Sequence, residues 1–291
     1  MTTAEAGAAV PGDAVPGDAV PGDVFAGTLA ELTWHEVDAA ARSGAVLLWA
    51  FGVIEQHGPH LPTGTDVYLP GARLRAVRTL LAERGVEALI VPPYYWGVNV
   101  VSGSFPASYS VRPELIREVM VDLLGGMARD GFRHVFCFSG HGDALHNRTV
   151  HRGIRSACER TEANASFVTE PALARRIGLD LDDPYLTLSG PDEPPPDGPA
   201  DVHAGNWETS LMMHAHPELV REDVRVRLAP SGLGARELAV WRQGYEHARR
   251  VTPDGYLGDP AAADTAEGRR ISTSTAEQAA DAIVHRLRGA A

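Results

Sequence analysis

Residues 45–66 read AVLLWAFGVIEQHGPHLPTGTD. The first nine form a continuous apolar run, as a strand covered on both faces of a sheet requires; a half-exposed strand would alternate. The last twelve, 55–66, hold a glutamate, two histidines and an aspartate, stiffened by two prolines. Buried ionisable groups are costly unless they are paired or bind metal. The segment is therefore either a solvated loop or a site at the end of a strand.

The flanking chain repeats this alternation. Thr33-Trp34-His35-Glu36 has the spacing of a capping box and predicts a helix running to Ser43-Gly44. Residues 67–84 read as a helix, EALIVPPY (87–94) as a second strand and 112–130 as a further helix. HVFCF (134–138) reads as a third strand, running into SGHGDALHN (139–147), which opens another helix, and NASFVTE (164–170) as a fourth strand. Strands alternating with helices predict an α/β fold with a mostly parallel sheet flanked by helices. In such sheets sites form beyond the carboxyl ends of the strands, where two His/Asp-rich segments fall here. DPYLTLSGPDEPPPDGPA (183–200) reads as a proline-rich loop, either a lid or a solvated excursion.

AVPGD occurs three times over residues 9–23, a period too short to stack as a solenoid. The expected organisation is a disordered tail over 1–25 and one domain over 26–291. The formal net charge of -12 argues against nucleic-acid binding and docking on anionic membranes. No apolar stretch approaches a membrane span, and the start lacks a secretory signal pattern. Cys137 and Cys158 form no CxxC pair, which suits reduced thiols in a cytoplasmic protein. No GxGxxG or Walker sequence is present, and Arg42, Arg269 and Arg270 belong to no anion motif.

Carboxylates and imidazoles drawn from separate segments suit a site for two divalent ions, which activate water and polarise a carbonyl. Glu55, His57, Asp66 and His141 are the candidates. On composition alone, histidine-rich loops are more often solvated or hydrogen-bonded than metallated.

EQHGPHLPTGTD, SGHGD (139–143) and DVHAGNWETS (201–210) resemble the signatures of the creatininase (creatinine amidohydrolase) family. GYLGDPAAADTAEGRR (255–270) is similar to its C-terminal segment, and FPASYS (105–110) to its FPGTIS stretch. The resemblance implies a three-layer sandwich, a dinuclear metal site and a homo-oligomer, often a hexamer. The ions implied are zinc, with manganese or iron as alternatives. By position, Glu55, His57, Asp66 and His141 would be ligands, with Asp66 bridging. Asp143 and Glu208 compete for one further place, as ligand or as the carboxylate that takes a proton from water. His203 would be the general acid protonating the leaving nitrogen.

The pattern departs from the family at several points. Val101 and Ser102 stand where it has Glu-His, Asn206 replaces the first glutamate of HAGE, and GHGGN has become GHGDA. These changes speak against assuming creatinine as substrate and fit a specialised biosynthetic role. Trp96, Ser102, Asn206 and Trp207 are the candidates for holding a small substrate. His60 is expected to pack or hydrogen-bond locally, His146 and His151 to face solvent, and His214 and His216 to lie near a helix end. The expected activity is hydrolysis of a C–N bond in a small cyclic amide or formamide. The alternatives are trimming of a precursor peptide, as in the creatininase-type enzyme of mycofactocin maturation, and an inactive partner-binding homologue.

Overall fold

The computed structural model describes residues 22–192 and 199–289. Most of the tail and repeats, 1–21, and the proline run at 193–198 lie outside those residues. Helix α1 (Trp34–Ser43) starts at the capping box, where the Thr33 side chain and the Glu36 carboxylate bond each other's backbone N–H groups. It leads into β1 (Val46–Phe51), followed by α2 (Thr65–Glu83), β2 (Ala88–Tyr94), α3 (Pro113–Arg129), β3 (Val135–Ser139), α4 (Ala144–Arg160) and β4 (Ala165–Thr169). Then come α5 (Pro171–Arg176), β5 (Leu186–Leu188) and α6 (Asn206–Ala215), three short helices, α7 (Glu222–Arg225), α8 (Ala235–Trp241) and α9 (Tyr245–Val251), and the long closing α10 (Thr265–Gly289).

All four strand pairings are parallel, and the order is β2-β1-β3-β4-β5. Strand β1 is buried at every position because it is covered on both faces. Leu47, Trp49 and Phe51 face a core completed by α3 and α4, through Ile116, Met120, Val150 and Ile154. Val46, Leu48 and Ala50 face the opposite core, closed by Leu74, Val77 and Leu81 of α2 and Ala279 and Ile283 of α10. The result is the three-layer arrangement. Among the described residues no helix is long and apolar enough to cross a membrane.

Strand β5 lies within the stretch read from sequence as a loop. Its three residues pair Leu186, Thr187 and Leu188 with Phe167, Val168 and Thr169, and Ser166 and Thr187 share a buried 2.8 Å hydrogen bond. A strand this short beside a proline run carries no periodicity to detect.

The strand order reverses at β1 and β3. The chain leaves β1 to build β2 on one side and returns to build β3 on the other, so a crevice opens beyond their carboxyl ends. Two glycines let α2 sink into it. A Cβ on Gly52, after β1, would lie 2.2 Å from the Asp66 carbonyl oxygen, and one on Gly140, after β3, 2.3 Å from the same atom. Pro70, four residues on, has no N–H to give that carbonyl. Gly52→Ala or Gly140→Ala should destabilise the fold by about 1–3 kcal/mol or more through overpacking. Urea denaturation reads this as a lower midpoint; an unchanged midpoint in both variants would contradict the close approach.

Candidate metal centre

The loop after β1 is closed by its own backbone. Glu55 N–H donates to the Thr63 carbonyl at 3.0 Å, and the Thr65 hydroxyl to the Pro62 carbonyl at 2.8 Å. This fold-back carries Glu55 and His57 past the strand end and returns Asp66 on the first turn of α2. The turn after β3 is clamped by Asn147, whose side-chain amide donates to the carbonyls of His141 and Asp143 at 2.7 and 2.8 Å. The HAG segment is held by an antiparallel bridge between His203 and Leu257, so two distant stretches of sequence meet beside the loop.

These elements bring Glu55, His57, Asp66, His141, His203 and Glu208 together. His141 Nδ1 lies 3.0 Å from Glu55 Oε1 and 2.9 Å from Asp66 Oδ2. His57 Nε2 lies 3.2 Å from Asp66 Oδ1 and 3.8 Å from Glu208 Oε2. Asp66 thus presents one oxygen to each group, and ligand atoms of Glu55/Asp66/His141 and of His57/Asp66/Glu208 each fall within 4.8 Å of one another. A third such group joins Glu55, His57 and His203.

The donors fit a divalent metal. His57 Nδ1 sits 3.2 Å from the Glu55 carbonyl, where its N–H donates, leaving the Nε2 lone pair to face the carboxylates. His57 Nε2 and Asp66 Oδ2 are buried without a hydrogen bond among the described residues, although opposite charge lies close to each. Atoms aimed at a shared point rather than at each other are disposed as ligands. The field also calls for positive charge. Burial opposes a charged His57, but the carboxylates of Asp66, Glu208 and Glu55 push it up to about 10. Burial likewise opposes charge on His141, which Glu55 and Asp66 hold well above its ordinary value. Burial raises Glu208 to about 7.

Asp143 stands apart. It caps α4, Oδ1 accepting from Leu145 and His146 N–H, while Oδ2 accepts from Val100 and Val101 N–H at 2.9 and 3.2 Å. It joins none of the three donor groups. Glu208 belongs to one of them and is oriented by a 2.6 Å bond from Ala204 N–H.

Other sequence-derived positions need correction. Ser102 is buried under the site, donating to Glu55 Oε2, and Asn206 accepts from Ser210 on its own helix at 2.9 Å. Trp96 packs on Tyr95 and Tyr109, and Trp207 lines a separate crevice beside Arg73 and Phe138. None of these four lines the cavity of about 580 Å³ above the donors. That cavity is walled instead by Val100, Leu145, Val202 and Trp241, and by Arg148, Arg176 and Arg242. His146 and His151 are buried, because the face of α4 carrying them packs inward; His146 Nδ1 accepts from Val98 N–H and His151 lies 3.1 Å from Asp183. His60 packs in the interior, and its hydrogen bond at 2.8 Å runs to Thr209 of α6. His216 lies at the end of α6, as expected.

A family model described as creatinine amidohydrolase (creatininase) matches residues 30–283. The chain belongs to the creatininase family. The mycofactocin precursor peptide peptidase of Mycolicibacterium smegmatis is 31% identical over 82% of this chain and 84% of its own. The creatinine amidohydrolase of Pseudomonas putida is 28% identical over 88% and 95%. A solved creatininase in a manganese form superposes with a TM-score of 0.68 at 23% identity, covering 89% of this chain and 98% of that one. The protein is thus a metal-dependent hydrolase of this family with its parallel three-layer fold.

Asp66 serves both donor groups, whereas Glu208 serves one. Asp66→Asn should therefore remove more metal per chain than Glu208→Gln, measured by plasma mass spectrometry after gentle purification. Equal losses would deny Asp66 the shared position.

Proposed function

We propose that this creatininase-family member hydrolyses an amide C–N bond over two divalent ions, held by Glu55/Asp66/His141 and by His57/Asp66/Glu208. The sharing of Asp66 between two buried donor groups on the floor of one cavity carries this reading. Glu208, rather than Asp143, is the additional carboxylate ligand, since the oxygens of Asp143 are occupied by backbone N–H groups. Ions bound there would polarise the amide carbonyl and make a water nucleophilic near neutral pH.

The proton transfer falls to His203. Its Nε2 lies 2.9 Å from the Gln56 carbonyl and 3.0 Å from the Gln56 side-chain nitrogen, so Gln56 orients the ring. Its Nδ1 points toward Glu55 at 3.8 Å, on the cavity side. Burial, and then the charge of neighbouring His57, lower His203 to about 4, so it is neutral at pH 7. A neutral imidazole must first receive a proton before it can protonate the departing nitrogen, so His203 acts as a shuttle and not as a standing acid. Trp241 and His57 hold the ring, with centroids 5.7 and 4.5 Å away.

Two substrate classes suit the cavity. Its volume lies within the range of small-molecule pockets and admits a small cyclic amide or formamide. The similarity to mycofactocin precursor peptide peptidases favours trimming of a peptide end as the second reading. The intact, mutually oriented donors weigh against an inactive partner-binding homologue.

The test is turnover of a panel of cyclic amides, formamides and short peptides by manganese- or zinc-loaded enzyme. His203→Ala should keep its metal and lose about 10²–10⁴-fold in kcat. Loss of metal in that variant would make His203 a ligand, as the Glu55/His57/His203 group permits, and no turnover of any amide would overturn the hydrolytic reading.

A further inference from the structure

The cavity over the metal donors has two walls of opposite charge. One carries Glu55, Asp66 and Glu208; the other carries Arg148 from α4, Arg176 from the last turn of α5 and Arg242 at the end of α8. No sequence motif links these arginines, yet three separate elements deliver them to one space.

Among the described residues nine arginines pair with a carboxylate, and these three are among those that do not. Arg155, Arg160, Arg175, Arg225, Arg227 and Arg270 each pair with a carboxylate. Among the described residues, no carboxylate oxygen lies within 4.0 Å of Arg148, Arg176 or Arg242. The contrast is sharpest on α5, where Arg175 pairs outward with Asp192 while Arg176 turns to the cavity and donates to the Gly142 carbonyl at 3.0 Å. Gly142 lies between His141 and Asp143, so this bond ties the arginine wall to the ligand-bearing turn. Among the described residues Asp143 is the acidic side chain of the cavity beside these arginines, and its oxygens already take four N–H groups. Three guanidiniums against one engaged carboxylate leave a positive surface facing the metal donors.

We propose that Arg148, Arg176 and Arg242 bind a carboxylate of the substrate, so that this enzyme acts on amides that carry a free carboxylate away from the scissile bond. The planar guanidinium fork is suited to two-point binding of a carboxylate, and several such donors lining one cavity can share it. The inference rests on the hydrolytic reading given above. It holds for either source of the carboxylate, the C-terminus of a peptide or the acid group of a small amide.

Isothermal titration of the metal-loaded, full-length enzyme tests it with two matched pairs: tri-alanine against its C-terminal amide, and hippurate against hippuramide. At least one acid should bind about tenfold or more tightly than its capped partner, the expectation for a charged hydrogen-bonded contact. The pair that shows the difference identifies the source. Arg148→Ala and Arg242→Ala should each weaken binding of that acid severalfold without changing metal content, and Arg176→Ala should do the same if the Gly142 turn tolerates it. Added salt should reduce the preference. Equal binding of acid and capped forms overturns the proposal. So does a preference that survives in R148A/R242A, since the carboxylate would then be held by the metal ions alone. Hydrolysis of a ligand gives a sustained heat after each injection, distinct from the heat of binding, so a failure to hydrolyse amides counts against the catalytic reading and not against the arginine wall.

Discussion

Three carboxylates, Glu55, Asp66 and Glu208, gathered beyond the carboxyl ends of β1 and β3 are the constraint on which the rest of the site depends. Two of them are almost wholly buried. Like charges at this spacing in a low-dielectric crevice are tolerated only with compensating positive charge. Everything around them serves that need: imidazoles of His57 and His141 between the oxygens, one Asp66 oxygen for each group, and a His57 tautomer fixed by a backbone carbonyl. Divalent ions meet the same need with the correct ligand chemistry. The family's metal dependence and the electrostatics of this chain are therefore two views of one requirement.

Such gathering is possible only because backbone approaches backbone. Asp66 lies in the first turn of α2, and its carbonyl rests against Gly52 and Gly140 at the ends of adjacent parallel strands. Side chains there would hold the helix off the sheet by more than the tolerance of a metal site. Pro70 removes the N–H that a regular helix would offer to that carbonyl. The crevice at the strand reversal is thus a feature of topology, but its depth is set by two glycines and a proline.

Much of this was legible in the sequence because it is local. The apolar run at 45–53 specifies a buried strand, Thr33 and Glu36 a helix start, and EQHGPHLPTGTD a fold-back rich in ligands. What was not legible is nonlocal. Strand β5 exists because β4 offers a free edge to three residues. His146 and His151 are polar letters on a helix, and only packing of that face against the sheet buries them. The tryptophans suggested a substrate pocket by type, but Trp96 and Trp207 point elsewhere, while Trp241 lines the cavity from a short helix with no signature. Asp143 shows that position in a motif does not settle role. With both oxygens taken by N–H groups from α4 and from the 100–101 turn, it orders the rim of the cavity and has little capacity left for an ion.

The two walls also bear on the order of events in turnover. Two divalent ions over three carboxylates would leave the floor of the cavity positive, and the arginine wall adds to that field. An anionic amide would be drawn in and oriented, one end on the arginines and its carbonyl over the metal donors. Hydrolysis then creates a new carboxylate at the floor. On the acyl side of a substrate whose original carboxylate lies on that same fragment, the product carries two carboxylates and is held at both ends more tightly than the substrate was. Release would then limit the rate. If the original carboxylate lies on the amine side, the charges part with the fragments and that penalty disappears. A C-terminal peptide fragment belongs to this second case, so the cavity's charge pattern accommodates release of a peptide's terminal residues more readily than opening of a cyclic amide acid, whose product keeps both charges on one molecule.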